Sequence, residues 1–422
     1  MKRILPLLCI ITMLAGFAAA QGTTAAASDL SRVAQSIAAA RKAISEKPAD
    51  FTGYNLLATA LVSCALENSD ASFYTQAAEA VERSRELAPN NFDGEKIRVS
   101  ILLGEHEYAA ALELAKALNK RTPDDVMVYG LLTDANIELG NYKDAEVAAQ
   151  WMLDLRSGNL PALIRAAHLR ELFGDAEGAY ELMDTAYQST PATENAERAS
   201  LLTQMGHLRL TSSTDSAEKI LQQALTTFPN YPAALGNLAQ LRVTQKRYSD
   251  AVTLLEQRYR AQPRTDNLYD LAEALRLAGR GREAGRAFAD FETKALAESF
   301  LKDNSNRALV FYYADHAHQS AKALDAATRE YAWRHDIYTL DAYAWALHVN
   351  GQDTEARKQI ENALAVGIRD PKIFGHAGEI VLKLGDHTAA EKYLQEARAL
   401  QTIGSEHVEL VSDQILQSNA QR

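Results

Sequence analysis

The residues that could do chemistry in this chain are its ten histidines, and their spacing does not fit a metal site. The stretch HEYAA, which contains His106, starts like the helix of a zinc protease but has no second histidine four residues later. His316 and His318 follow Asp315 and are two residues apart, so on a helix they point about 200° away from each other. We therefore predict a chain without a metal, a cofactor or a catalytic residue.

Other catalytic signatures are also missing from the sequence. It contains no Gly-x-Ser-x-Gly stretch and no P-loop, and the glycine-rich residues 279–285 follow no strand pattern. These residues are better explained as a turn between two helices. The arginines around this turn predict a solvated face with ion pairs, and a docking patch for an acidic segment is the alternative. We predict a protein that is not an enzyme.

The first twenty residues have the layout of a secretory signal peptide. Lys2 and Arg3 precede an apolar run, and small residues at 18–20 favour cleavage after Ala20. The apolar run is shorter than the ~20 residues of a membrane-spanning helix, and a retained anchor is the alternative. The pattern predicts an exported protein, either periplasmic or secreted, with no membrane span after cleavage.

Charge and cysteine content restrict the partners and the means of stabilisation. The net charge of the 422 residues is −11, and it becomes −13 when two positive charges leave with the signal peptide. An acidic chain argues against nucleic acid and anionic lipid as partners, because both require clustered Lys and Arg. Cys64 is the one cysteine of the mature chain, so we expect a buried thiol and no internal disulfide.

Prolines show that the sequence repeats with a period of 34 residues. Pro89 and Pro123 are 34 residues apart, and so are Pro229 and Pro263. A fixed period of this length over most of a chain is the signature of a repeat architecture. No single unit could bury its apolar face, so neighbouring units must stack to form one continuous core.

Each unit is predicted to be a pair of helices. The same phrase returns at residues 139–149, 245–255 and 384–394, each with a break, a polar pair, an alanine and then aliphatic residues at helical spacing. The break turns the chain, and the alanine lets the two helices approach closely. The pattern predicts an all-α solenoid of about ten helix pairs. They begin near Phe51, Phe92, Val126, Leu160, Glu194, Pro232, Asp266, Asn306, Ile337 and Pro371.

Capping helices are expected at both ends of the solenoid, where a repeat would otherwise expose its apolar side. We predict the N-terminal cap at residues 28–48. At the other end, residues 405–422 are predicted to form a closing helix, at 405–418, followed by a tail. Between the caps, an irregular stretch near residue 300 favours two arrays, at 49–300 and 304–402. A single bent solenoid is the alternative.

Alternating helices, the 34-residue period, the Gly-x-Tyr and alanine pattern and the closing proline resemble the tetratricopeptide repeat family over most of residues 50–402. The resemblance implies a right-handed superhelix. The stretches YADHAHQSAKALDAA and DPKIFGHAGEIVLKLGDHTAAEKYLQEA also resemble exported bacterial repeat proteins of largely unassigned function. That resemblance implies a bacterial source and an interaction role, and it implies no reaction.

In such repeats the first helix of each pair lines a concave groove that binds extended peptides or a partner helix. The resemblance therefore implies a partner-binding groove, and Trp345 and Tyr312 are the aromatic residues that we expect to be exposed contacts. The positions that match this groove are Asp134, Glu138, His168, Glu171, Gln240, Asn267, Asp270, Tyr312, His316, Tyr338, Asp341, Trp345 and His348, with Lys96 and Glu379 as further members.

Two hypotheses follow. The first is a scaffold or adaptor of the bacterial envelope that holds another envelope protein or a peptide segment in the groove. The second is a binding module for a glycan or an acidic peptide, centred on the aromatic C-terminal array. The sequence leaves the partner's identity and the oligomeric state open.

Overall fold

The computed structural model describes residues 22–68, 72–301 and 304–400, with side chains from residue 33 onward. The predicted signal peptide and the closing helix at 405–418 lie outside the described residues. Within them the chain is all α-helical, and no helix is both long and apolar enough to cross a membrane. The helices are α1 (Gly22–Glu46), α2 (Phe51–Asn68), α3 (Ser72–Leu87), α4 (Phe92–Gly104), α5 (Tyr108–Arg121), α6 (Val126–Glu138), α7 (Tyr142–Leu155), α8 (Leu160–Leu172), α9 (Ala176–Ser189), α10 (Asn195–Leu208), α11 (Thr214–Thr227), α12 (Pro232–Thr244), α13 (Tyr248–Ala261), α14 (Thr265–Leu277), α15 (Gly281–Glu298), α16 (Asn306–Phe311), which continues into a π-helical turn (Tyr312–His316), α17 (Ser320–Tyr331), α18 (Ile337–Val349), α19 (Asp353–Leu364), α20 (Pro371–Lys383) and α21 (His387–Ala399).

The predicted solenoid of ten helix pairs is confirmed. Each pair is one repeat, from repeat 1 (α2 and α3) to repeat 10 (α20 and α21), and each first helix begins within one residue of the predicted start. The N-terminal helix α1 packs against α2, as a cap would, and it begins at Gly22 rather than at residue 28.

Local sequence signals explain where the helices start and stop. Asp125 caps α6, because its side chain accepts a hydrogen bond from the amide of Val128 at 3.0 Å. Gly140 follows α6 with a φ of +74°, a conformation that glycine adopts without steric cost. The alanine of the repeated phrase is fully buried in repeats 3 and 6, at Ala145 and Ala251, so the paired helices approach closely as predicted.

The core continues through the irregular stretch near residue 300. Phe291 and Ala295 on α15 belong to the same hydrophobic cluster as Leu309 and Tyr313 on the other side of the break. The proposed boundary between two arrays therefore does not interrupt the packing.

The solenoid curves back on itself, so that repeats 9 and 10 touch repeats 3 and 4. The amide of His335 donates a hydrogen bond to the carbonyl of Glu138 at 2.9 Å. The amide of Ile337 donates to the hydroxyl of Tyr142, also at 2.9 Å. We call this contact the closure. It joins residues 334–337 and 367–369 to residue 106 and to residues 138–142 and 173–174.

Two glycine turns lie directly in the closure. A Cβ atom on Gly140 would be 2.7 Å from the carbonyl oxygen of His335, and one on Gly174 would be 2.5 Å from the carbonyl oxygen of Gly367. Real Cβ atoms do not approach an oxygen so closely. Glycine is therefore required at these turns by the facing backbone as well as by the positive φ.

Apolar side chains also meet across the closure. One hydrophobic cluster contains Ile137 and Leu169 of repeats 3 and 4 together with Ile337, Ile368 and Ile373 of repeats 9 and 10. All five are buried. The closure therefore combines backbone hydrogen bonds with a shared core, and it fixes the size of the space inside the curve.

Candidate functional site

A cavity of about 1090 Å³ lies inside the curve of the solenoid. One wall is formed by the first helices of repeats 1 to 4, with parts of α3, α5 and α7. The opposite wall is formed by residues 264–266, 304–308 and 330–334. The walls therefore come from parts of the chain that are far apart in sequence.

One part of the cavity wall is apolar and open to solvent. The side chain of Leu66 is 68% exposed and that of Met127 is 47% exposed, and Val62, Leu103 and Val126 line the same cavity. Most large apolar side chains of the first helices are buried, so these exposed ones form a surface that could accept apolar groups of a ligand.

The next part of the wall is charged, and most of its charges are paired. Arg165 donates to both carboxylate oxygens of Asp134, at 2.8 and 2.6 Å, and Arg264 Nε lies 3.2 Å from Asp266. Arg156 is exposed and makes no ion pair among the described residues. A carboxylate of a ligand would therefore find a free guanidinium at Arg156.

The closure forms the end of the cavity. Arg334, which is buried, donates to Nδ1 of His106 at 2.9 Å and lies 3.0 Å from the carboxylate of Glu330. Burial, and to a smaller extent the nearby Asp336, raises the pKa of Glu138, whereas Arg334 lowers it. The positive charge of Arg334 thus balances part of the negative charge of several carboxylates, those of Glu138, Glu330 and Asp336.

Three of the predicted groove residues, Asp134, Glu138 and His168, line this cavity. The others lie elsewhere. Glu171 stands between His207, at 3.0 Å, and His168, at 3.6 Å. Burial acts to raise the pKa of Glu171, but hydrogen bonds from these histidines outweigh it and lower the pKa to about 2.

Six further predicted groove residues, none of which lines the cavity, are either exposed to solvent or paired with another side chain. Gln240 is exposed, and Tyr338 is partly exposed. Four others pair with neighbouring side chains. They are Asp270 with Arg258, Tyr312 with Glu292, His316 with Glu273, and His348 with Asp353. Their role in binding a partner stays a prediction.

The expectation that Trp345 is an exposed contact is wrong. Its side chain is 2% exposed, and its indole N–H donates to Asp315 at 2.7 Å. The ring stacks on His376 with 4.3 Å between the ring centroids. Asp315 belongs to the π-helical turn after α16, and His376 belongs to α20. The first helices of repeats 8 and 10 therefore both contact the indole of Trp345, which lies between them on α18.

Two other predicted groove residues are also buried, which corrects their placement. Asp341 is 2.7 Å from His376, and both side chains are almost fully enclosed. Asn267 is enclosed as well, and its side-chain amide donates to the carbonyl of Gln262, the residue that follows α13 of the preceding repeat. These side chains hold neighbouring repeats together and cannot touch a partner.

The inner face of repeats 8 to 10 is consequently a packed region. Burial, together with the nearby carboxylate of Asp315, raises the pKa of Glu379 there to about 8. Tyr312, the second expected exposed aromatic, is only partly exposed, and its hydroxyl donates to Glu292 at 3.2 Å. Trp345 and Tyr312 therefore offer little open aromatic surface, whereas Trp333 and Tyr338 are 42% and 37% exposed, and the glycan hypothesis stays a prediction.

Sequence reasoning missed the opposite wall of the cavity. Arg334 lies in a segment that the repeat pattern treats as a connection, and Arg307 lies in the first turn of α16. No local signal places either residue beside repeats 1 to 4. The exposed apolar pair, Leu66 and Met127, follows no motif either. Among the described residues, no group of three or more His, Cys, Asp or Glu side chains is arranged to hold a metal ion.

Comparison with known proteins gives one family and several similar folds. Residues 212–275 match the sequence model of the tetratricopeptide repeat. A human IFIT1 dimer with PPP-AAAA is 13% identical, with a TM-score of 0.48, over 83% of this chain and 90% of that chain. The yeast Tom70 structure is 14% identical, with a TM-score of 0.40, over 93% of each chain. PilW, a type IV pilus biogenesis factor, is 13% identical, with a TM-score of 0.42, over 48% of this chain and 93% of that chain. No curated protein matches the sequence significantly.

Proposed function

We propose that this tetratricopeptide repeat protein is an interaction scaffold that holds a short segment of another protein in its inner cavity. The repeat fold supports an interaction role in general. The cavity inside the curve of the solenoid supports the more specific proposal that the partner binds there. We propose no catalytic role.

The observation that carries the proposal is the open apolar wall of the cavity. Leu66 and Met127 present their side chains to solvent inside the curve, next to the charged side chains of repeats 3 and 4. A volume of about 1090 Å³ is slightly above the range of about 300–1,000 Å³ for drug-sized ligands. It fits a few residues of an extended segment and is too small for a folded domain.

The chemistry of the walls suggests what such a segment contains. Apolar side chains would pack on Leu66 and Met127, and a carboxylate would pair with Arg156, which has no ion-pair partner in the described part of the chain. We also propose that the protein works in the bacterial envelope. The signal-peptide pattern of the first twenty residues supports this location.

A peptide-binding screen tests the proposal. The full mature chain is incubated with a library of random ten-residue peptides, and the peptides that bind are measured individually by fluorescence anisotropy. We expect binders with apolar residues, and we expect Met127→Lys to weaken their binding by about fivefold or more, because a buried anchor contributes more than about 1 kcal/mol.

Val147→Lys is the matched control. Val147 is an exposed apolar residue of the same repeat, but it does not line the cavity. If no peptide binds, or if Val147→Lys weakens binding as much as Met127→Lys does, the cavity is not the binding site.

A further inference from the structure

The closure and the cavity share side chains. Arg334 and His106 are bonded to each other across the closure, and both line the cavity. Glu138 also lines the cavity, and its carbonyl accepts the backbone hydrogen bond from His335. Any movement that separates repeats 9 and 10 from repeats 3 and 4 must therefore change the shape of the cavity.

We propose that the solenoid acts as a clamp, in which the closure is a reversible contact that a bound segment holds shut. This inference rests on the proposed function, because it requires an occupant that touches both walls. The two jaws of the clamp are repeats 1 to 4 and the segment of residues 304–400.

The closure can open without unfolding any repeat. Each repeat of a solenoid is stabilised by its sequence neighbours, and the closure adds contacts between repeats that are six apart along the chain. Opening the closure breaks a few hydrogen bonds and separates part of one hydrophobic cluster. The intra-repeat contacts and the stacking between adjacent repeats are retained.

The charges at the closure also favour a reversible contact. Three carboxylates, those of Glu138, Glu330 and Asp336, are gathered there with two guanidinium groups, those of Arg307 and Arg334. Bringing the jaws together buries Glu138 and adds Asp336 to its environment, and both effects oppose closure, whereas the attraction of Arg334 and Arg307 offsets only part of them, since the pKa of Glu138 stays raised. Hydrogen bonds and apolar burial must exceed this repulsion, so the net stability of the closure is smaller than its contact area suggests.

Thermodynamic linkage gives the sign of the coupling. The cavity is lined by Met127 and Asp134 on one jaw and by Arg307 and Arg334 on the other. A segment that contacts both jaws binds the closed state more tightly than the open state, so its binding shifts the equilibrium towards closure. By the same linkage, a substitution that opens the closure weakens binding, by at most the ratio of the segment's affinities for the closed and open states.

The first experiment measures the closure without any ligand. Hydrogen exchange at the amides of His335 and Ile337 is compared between the wild-type chain and Gly140→Ala, whose new Cβ would meet the carbonyl of His335. We expect exchange at these two amides to become about tenfold faster, because an opened closure exposes them to water.

Gly279→Ala is the matched control for this experiment. Gly279 has the same φ, +73°, at the corresponding turn of repeat 7, but no atom lies within 4 Å of its added Cβ. Both variants therefore carry the same backbone strain, and only Gly140→Ala disturbs the closure. Equal exchange at His335 in the two variants would overturn the clamp.

A second pair of variants covers the case in which Gly140→Ala does not fold. Tyr142→Phe removes the hydroxyl that accepts the hydrogen bond from Ile337. Tyr248→Phe makes the same change at the first residue of α13, in repeat 6, which makes no contact with the closure. We expect faster exchange at Ile337 in Tyr142→Phe alone, and unchanged exchange there would contradict the proposal.

The second experiment tests the coupling with a peptide obtained from the library screen. We expect the bound peptide to slow exchange at His335 and Ile337 by about tenfold, and we expect Gly140→Ala to weaken its binding severalfold while Gly279→Ala does not. A peptide that binds without slowing this exchange would overturn the clamp and leave the proposed function standing. If no peptide binds, the proposed function fails and the clamp fails with it.

Discussion

Repeats 1 to 4 and repeats 8 to 10 use the inner faces of their first helices in opposite ways. In repeats 1 to 4 these faces surround a cavity, and Leu66 and Met127 remain open to solvent. In repeats 8 to 10 the equivalent faces are filled, with Trp345 stacked on His376 and Asp341 enclosed beside it. The same kind of repeat therefore provides a surface in one region and a core in the other.

The difference shows that the repeat unit alone does not decide which side chains face solvent. Each first helix in both regions contacts its own second helix and the neighbouring repeats. In repeats 8 to 10, the large side chains of Phe311 and Trp345 both stack on His376 of α20, the first helix of repeat 10. In repeats 1 to 4 the inner side chains do not fill the space between the walls, and a cavity remains.

The largest effect is expected from two tryptophans, Trp345 in the packed inner face of repeats 8 to 10 and Trp151 on the second helix of repeat 3, outside the cavity lining. Trp345→Ala should lower the free energy of unfolding by about 3–5 kcal/mol, because it leaves a large hole in a packed core. Trp151→Ala should cost less than about 1 kcal/mol, since that side chain is about half exposed. Urea unfolding followed by circular dichroism measures both. Equal losses of unfolding free energy in the two variants would show that Trp345 is no more tightly packed than Trp151.

A smaller effect is expected from the carboxylates of the two regions. Asp341→Ala removes the partner of the buried His376 and should destabilise the chain by about 2 kcal/mol. Asp134→Ala breaks the pair with Arg165, which is partly exposed in the cavity wall, and should cost less than about 1 kcal/mol. The midpoints of urea unfolding give the comparison, and the reverse order would contradict the distinction between core and surface.

The next prediction uses the pH dependence of the packed region. Because the pKa of Glu379 is raised to about 8, the folded state favours its protonated form. The carboxyl group therefore opposes folding increasingly as the pH rises from about 4.5 to 8. Glu379→Gln should stabilise the chain by about 1–2 kcal/mol at pH 9 and change little at pH 4.

Thermal unfolding at several pH values tests this prediction. Glu391→Gln, at an exposed position of α21, serves as the control and should leave the pH profile unchanged. A wild-type profile that matches the profile of Glu379→Gln across this range would show that Glu379 is solvated in the folded chain.

The smallest effect on stability is expected in the cavity wall itself. Leu66→Ser and Met127→Ser should change the free energy of unfolding by less than about 0.5 kcal/mol, because both side chains are already exposed. Urea unfolding checks this value, and the peptides selected in the library screen should lose affinity for both variants. A loss of stability above 2 kcal/mol would place these side chains in a core.

The local features of the fold could be predicted from the sequence. Helix starts depend on nearby residues such as the capping Asp125, and helix ends depend on turn glycines such as Gly140. The contact between paired helices depends on small residues such as Ala145. All of these interactions form within one 34-residue unit or between adjacent units, so the period was enough to place every repeat.

The candidate site was only partly predictable. The family resemblance implied that Asp134 and Trp345 lie on inner faces, but it contained no information about what covers those faces. The cover depends on side chains from other repeats, such as His376 over Trp345, and on the curvature of the whole solenoid. The contact between His335 and Glu138 depends on curvature accumulated over six repeats, which no local pattern records.

The closure also has a consequence for the order in which the chain acquires its structure. The hydrogen bonds that join Ile337 to Tyr142 and Arg334 to His106 link residues separated by 195 and 228 positions, whereas the helix pairs form from close neighbours. Contacts of such long range are slow to form, because a long loop must be closed first. The repeats should therefore assemble early, and the two ends should meet only in a late kinetic phase that Gly140→Ala removes.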